Sequence, residues 1–349
     1  MTPAHIVEAF RFQAKACENL GSPFMGQLMR LFAERDWPAG AIRDRIFAWE
    51  GDISPGGQSI PLRLAGALHA LHLADDPLLA EVYPPANASD DALWQQVSAA
   101  LVARADLIDH WLNNAPQTNE VRRSTTLIAV GHVLAHRYGL PITTSELGAS
   151  GGLNLHWDAY TLEIEGTRFG AENPALTLQP DWTGPQPPTT QPEIAARAGI
   201  DISPLDPHDP EDAMRLQAYL WPDQPDRLKL TRAAMNTAAT RVDKGDAIDW
   251  LAGRMGPDPG QTHLIYSTVA WQYFPKEKQE EGAALIAAAG AVASETAPIA
   301  WFGMEADGIG PGAALTLRLW PGDITLALGR ADFHGRWIRW AGAETGQPH

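Results

Sequence analysis

From about residue 142 onward, short β-type runs recur with helix-patterned stretches between them, and this alternation narrows the available folds more than any other feature. Candidate strands are 142–147, 197–203, 239–243, 262–268 and 298–304, with helical stretches such as DAMRLQAYLW and EKQEEGAALIAAAGAVA between several of them. Strands that alternate with helices predict a mostly parallel sheet wound on both faces. The last two candidate strands, LTLRLW (within 314–320) and ITLALG (within 323–329), are joined by Pro321-Gly322-Asp323. So short a turn predicts an antiparallel hairpin at the end of the sheet, which DFHGRWIRW extends. YTLEIEGTRFG, residues 160–170, reads as a second hairpin turning at Glu165-Gly166, and the Pro-rich PDWTGPQPPTTQP after it reads as irregular loop.

Residues 1 to 118 carry no period-two pattern. PFMGQLMRLF, PLRLAGALHALHL and DALWQQVSAALVARADLIDHWL each place their apolar residues on one helical face. The expected organisation is an all-helical domain over 1–118 and an α/β doubly wound domain over 119–349, the latter interrupted by an insertion at about 157–193.

Charge and cysteine usage bound the chemistry. With 26 basic against 42 acidic residues the chain carries −16, which opposes a polyanion, and no basic stripe of the kind nucleic acid needs is present. One cysteine, Cys17, rules out a disulfide framework and a cysteine-based zinc site. No run of about 18 apolar residues predicts a membrane span, and the N-terminus lacks the order of a signal peptide, so the cytoplasm is expected. His132 and His136 stand four apart on one helix, but GHVLAH lacks the glutamate of a zinc-protease helix. No metal is expected.

SELGASGGLNLHW, residues 145–157, leaves a strand and turns through Gly148, Gly151 and Gly152. Two chemistries use such a turn. Gly148-Ala149-Ser150-Gly151-Gly152 matches G-x-S-x-G, the elbow of serine hydrolases, with His334 and acids such as Asp307 following in suitable order. The same residues also form a glycine-rich turn of the kind that approaches a nucleotide-like cofactor. Later strand ends favour the second use. Asp201 closes the run in GIDISP, where a carboxylate can accept ribose hydroxyls. Asp246-Ala247 follows the next run, where an acid can take an adenine amino group. Ligands of open α/β sheets bind in the crevice outside such strand ends.

The order of these motifs over 124–341 resembles the Rossmann-type S-adenosylmethionine-dependent methyltransferases. QTNEVRR, ELGASGGLNLHWDAY, GIDISPLD and WPDQPDRLKL together resemble, more closely, a bacterial family catalogued as domain of unknown function 2332. The methyltransferase resemblance implies S-adenosylmethionine as cofactor. It further implies that Glu146 holds the methionine ammonium, that Gly148, Ser150, Gly152 and Asn154 lie along the cofactor, that Asp201 holds the ribose, and that Asp246 with Ala247 holds the adenine. Tyr266, Ser267 and Tyr273, in the loop after the fourth strand, are the catalytic candidates, and Asn119, Glu120 and Arg123 the substrate-binding ones. The expected function is methyl transfer to a small molecule. A serine hydrolase using Ser150 and a non-catalytic Rossmann-like binding protein are the alternatives.

Overall fold

The computed structural model describes residues 2–256 and 258–343. Its helices are α1 (Ala4–Asn19), α2 (Pro23–Glu34), α3 (Ala41–Phe47), α4 (Ile60–Leu73), α5 (Asp90–Ala103), α6 (Ala105–Leu112), α7 (Ser124–Tyr138), α8 (Pro210–Ala218), α9 (Pro225–Thr237), α10 (Ala247–Ala252) and α11 (Lys276–Ala291). Contacts divide the chain into two units. Met1–Thr118 gathers with Asp209–Lys229, and Asn119–His208 with Leu230–His349.

The first unit is helical because its apolar residues recur at helical spacing and bury one stripe each. Phe10 of α1, Leu28 and Phe32 of α2, Leu64 and Leu68 of α4, and Leu93 and Val97 of α5 are all fully buried in one core. Ser22 starts α2 by accepting the Met25 N–H, with Pro23 in the first turn. Ser89 caps α5, and Asp90 and Asp91 lie in its first turn, where the helix dipole favours acids. The stretch read as one helix over DALWQQVSAALVARADLIDHWL breaks at Arg104, whose side chain instead bonds Asp76 at 2.6 Å. Helix α8 joins this unit against α4: a Cβ on Gly66 would stand 2.5 Å from the Tyr219 ring, so only glycine admits that approach.

The second unit is built on a nine-stranded sheet. Its strands are β1 (Ile142–Leu147), β5 (Asp181–Thr183), β6 (Ile194–Asp201), β7 (Asp243–Lys244), β8 (Thr262–Thr268), β9 (Ile299–Glu305), β10 (Ala313–Trp320), β11 (Ile324–Ala331) and β12 (Trp337–Trp340), while β2 (Thr161–Ile164), β3 (Thr167–Gly170) and β4 (Thr177–Leu178) make a separate small sheet. The large sheet has the order β5-β12-β11-β10-β9-β8-β1-β6-β7. From β7 through β9 all neighbours are parallel, and β10, β11 and β12 follow as an antiparallel meander. The expected α/β sheet with its terminal hairpin is therefore present.

Three boundaries differ from the sequence reading. The second parallel strand starts earlier, at Ile194, because Ile142 pairs there, and it stops on Asp201. The third is only Asp243–Lys244, not 239–243. The Pro-rich stretch is not wholly irregular, since Asp181–Thr183 pairs with β12 and Trp182 packs on Trp340 with ring centroids 5.5 Å apart. The 160–170 hairpin turns at Glu165-Gly166, both at positive φ, as a two-residue turn requires.

Strand β1 is polar for the centre of a parallel sheet, and the neighbours explain how it is tolerated. Ser145 Oγ lies 2.8 Å from His263 Nε2 and accepts from Arg254 Nε at 3.1 Å. Thr143 bonds Gln261, and Glu146 faces the Tyr266 hydroxyl. Of the buried polar side chains on this strand, Ser145 and Glu146 find partners on β8 and its flanks, whereas the Thr144 hydroxyl is buried without one among the described residues.

Candidate functional site

The chain leaves β1 for β6 on one side and β8 and β9 on the other, so the order of connection reverses at β1. Open sheets present a ligand crevice at such a point, outside the carboxyl ends of the strands. Those ends carry Glu146 on β1, Asp201 on β6, Asp246 just after β7, and Glu305 on β9. The register pairs Glu146 with Gly199 and Tyr266, and Asp201 with Lys244. Glu146, Asp201 and Asp246 thus sit at the same edge of three adjacent strands.

After Leu147 the backbone turns with Gly148 at φ 76, Ser150 at φ 55 and Gly152 at φ 70. The turn is strapped to the end of β6. Gly148 and Ala149 both donate to the Ile200 carbonyl, at 2.9 and 3.0 Å, and the Ser150 N–H donates to Asp201 Oδ2 at 2.8 Å. Asp201 Oδ1 accepts the Ser203 N–H at 2.8 Å. Each carboxylate oxygen has spent one acceptor site on backbone and keeps another. The space beside the two outer glycines is used by the chain itself: a Cβ on Gly148 would stand 2.5 Å from the Ala270 Cβ, and one on Gly152 2.9 Å from Val242. Close packing and positive φ together account for both glycines.

Ser150 is 5% exposed, and its hydroxyl has no hydrogen-bond partner. Its left-handed φ is strained for a residue with a Cβ, a condition that gathers at functional sites. No histidine among the described residues holds that hydroxyl as the base of a hydrolase holds its nucleophile.

Beneath the turn, Glu146 is 1% exposed. Tyr266, itself fully buried, has its hydroxyl 3.4 Å from Glu146 Oε2 and 3.2 Å from the Asn154 carbonyl. Burial pushes the Glu146 pKa well above the usual carboxylate range, the Tyr266 hydroxyl opposes this, and the nearby Asp201 charge adds to it. Asn154 Oδ1 accepts from Ser124 Oγ at 2.7 Å and its amide donates to the Glu120 carbonyl at 3.3 Å. Asn119 Oδ1 accepts the Leu153 N–H at 2.9 Å, and Glu120 accepts the Arg122 N–H at 3.2 Å. Arg123 donates to the Thr268 carbonyl at 2.9 Å and the Phe333 carbonyl at 3.0 Å. The structure therefore brings Asn119, Glu120, Asn154, Glu146 and Tyr266 into one network at the glycine turn, which Arg123 joins through its backbone N–H to the Glu120 carbonyl at 3.2 Å.

Asp246 caps α10. Its Oδ1 accepts the Ile248 and Asp249 N–H groups at 2.9 and 3.0 Å, with Lys278 3.5 Å away, and Ala247 is the first helical residue. Burial works to raise its pKa, but those N–H groups and Lys278 outweigh burial and hold it below the usual range. The loop candidates divide. Tyr266 and Ser267 lie on β8 itself and not in the loop after it: Tyr266 is internal and Ser267 gives its hydroxyl to Glu305 at 2.8 Å, while Tyr273, in the loop, is 72% exposed. His132 and His136, four apart, go to different neighbours: the Phe169 ring at 5.4 Å and Thr190 at 3.2 Å.

Two features were not legible in the sequence. Glu305, the last residue of β9, is enclosed by the Ser267 hydroxyl and the Ala270, Trp271 and Gln272 N–H groups, and its place at the end of a parallel strand is the only local signal of this. His156 Nε2 accepts the Ala239 and Thr240 N–H groups at 3.2 and 3.3 Å, tying the turn to the chain before β7. No spacing pattern announces that bond.

A family model described as "Uncharacterized protein conserved in bacteria (DUF2332)" matches residues 7–340. No curated protein and no solved structure matches the chain. No helix among the described residues is long and apolar enough to cross a membrane.

Proposed function

Because the chain belongs to this bacterial family, whose description carries no activity, we propose its function from the carboxyl edge of the sheet: binding of S-adenosylmethionine and methyl transfer to a small molecule. The observation that carries the reading is the presence of Glu146, Asp201 and Asp246 at one edge of three adjacent strands beside the switch point. The donor set suits an adenosine. Asp201 retains one acceptor position on each oxygen for two ribose hydroxyls, and the buried Ser150 hydroxyl, without a partner among the described residues, belongs to the turn whose N–H bonds Asp201. Asp246 Oδ2 is left for an amino donor, since Oδ1 holds the helix cap.

When bound, the cofactor supplies a methyl group on a positively charged sulfur, displaced by a nucleophile of the acceptor. The protein's part is then mainly positioning. The Asp201 and Asp246 carboxylates favour a cation at this edge, and the buried Glu146 fixes Tyr266 and Asn154 as a rigid floor. Tyr273, the exposed member of the β8 loop, is the group left to meet the acceptor.

S-adenosylhomocysteine is expected to raise the melting temperature of the purified protein. At a concentration a hundred times its Kd the stabilisation is about 2.7 kcal/mol. An unchanged melting curve at millimolar ligand removes the reading. Labelling of Ser150 by a fluorophosphonate probe, abolished in Ser150→Ala, would put the hydrolase in its place.

A further inference from the structure

The segment between β8 and α11 is held in an unusual way. Four hydrogens converge on the Glu305 carboxylate. Oε1 accepts from Ser267 Oγ at 2.8 Å, the Ala270 N–H at 3.2 Å and the Trp271 N–H at 3.1 Å, and Oε2 accepts the Gln272 N–H at 3.4 Å. Gln272 returns the contact, its Oε1 accepting the Ala306 N–H at 2.8 Å. Within the same segment Val269 sits at φ 57. A β-branched residue in the left-handed region is a true outlier and persists only where its surroundings over-determine it. The Val269 N–H to the Met304 carbonyl (2.8 Å) and the packing of Trp271 on Trp301 (5.2 Å between centroids) complete the clamp.

This conformation has two consequences at the crevice. Ala270 is laid against Gly148, so close that a Cβ there would meet it at 2.5 Å. The Tyr273 ring is left 72% exposed at the rim. Strained backbone therefore stands on both sides of the switch point, Ser150 after β1 and Val269 after β8.

We propose that Glu305 is the positioning residue of this site: its carboxylate fixes residues 269–273 so that Ala270 covers the glycine turn and Tyr273 walls the side from which an acceptor enters. Only the identity of the ligand in the crevice rests on the methyl-transfer reading. The loop arrives preformed, and binding does not have to order it.

Amide exchange and ligand affinity in Glu305→Ala and Glu305→Gln test this. In Glu305→Ala the amides of 270–272 are expected to exchange at least about a hundredfold faster, while peptides from β1 and α11 keep their wild-type protection. Glu305→Gln keeps one acceptor oxygen but not the charge, so it should recover part of the protection, with exchange accelerated about tenfold. The Kd for S-adenosylhomocysteine is expected to rise at least about tenfold in the alanine variant and less in the glutamine variant. A general structural role would raise exchange across the sheet instead of in this segment alone, and that result overturns the proposal. So does unchanged exchange of 270–272 in Glu305→Gln, which serves if the alanine variant does not fold. Wild-type binding with equal affinity in both variants overturns the positioning role and leaves the methyl-transfer reading standing. If the wild type does not bind, that reading falls, and local exchange alone decides for or against the clamp.

Discussion

Gly148→Ala is expected to destabilise the sheet-bearing unit by about 3 kcal/mol, combining the cost of a left-handed φ with overpacking. Gly148 has φ 76, and an added methyl group would stand 2.5 Å from the Ala270 Cβ. Ala270 cannot retreat freely, because its N–H is bonded to Glu305 and the preceding Val269 is already strained. For a unit of this size the loss corresponds to about 8 °C in Tm. Gly166→Ala is the control. Gly166 has φ 83 with nothing within 4 Å of the added Cβ, so it should show the backbone cost alone, about 1 kcal/mol. Equal losses in the two variants would mean that the contact between the glycine turn and the β8 loop carries no energy.

Stability should also fall steeply on mild acidification. Burial, followed by the nearby Arg197 charge for His156 and the Arg254 charge for His263, holds both imidazoles down to about 4 from the ordinary 6.5. The folded state keeps them neutral, while the unfolded chain takes up protons once the pH drops below 6.5. Their cost is therefore absent above 6.5, grows as the pH falls, and is complete near 4. Each amounts to about 3 kcal/mol at the lower end. The geometry agrees for His156, whose Nε2 accepts two backbone N–H groups that a protonated ring would lose; His263 is buried beside Arg254, whose charge opposes a second cation.

Glu146 acts with the opposite sign. Burial raises its pKa, so the folded state holds its proton at a pH where the unfolded chain has released it. That contribution is full below the ordinary carboxylate pKa of 4.5 and disappears as the pH rises through the folded value. Urea midpoints between pH 7.5 and 4.5 should thus decline in the wild type, decline more steeply in Glu146→Gln, and flatten in His263→Gln. A wild-type midpoint independent of pH over that range contradicts the buried neutral imidazoles.

How much of this was legible in the sequence depended on whether a feature was local. The β/α alternation and the final hairpin are written in short-range periodicity, and the sheet follows them. Strand-end acids such as Asp201 and Asp246 could be read because each ends a local run. The Gly-rich turn was legible as a turn, but its glycines are explained by Ala270 and Val242, about a hundred residues away. Glu305 was missed for the same reason. A lone acid after a strand looks alike whether it meets water or three backbone N–H groups from a distant loop. ITTSEL reads as polar for a central strand because His263, Arg254 and Tyr266, the partners of Ser145 and Glu146, lie on later segments. The Pro-rich stretch hid β5 because its pairing partner, β12, comes near the end of the chain.

The most direct test of the shared carboxyl-edge site is a calorimetric titration of S-adenosylhomocysteine into wild type and Asp201→Asn. The expected result is a saturable one-site heat in the wild type and affinity at least about tenfold weaker in the variant, the usual scale for a lost hydrogen bond to a charged group. A flat wild-type titration at millimolar ligand, or equal affinities in the two proteins, would contradict it.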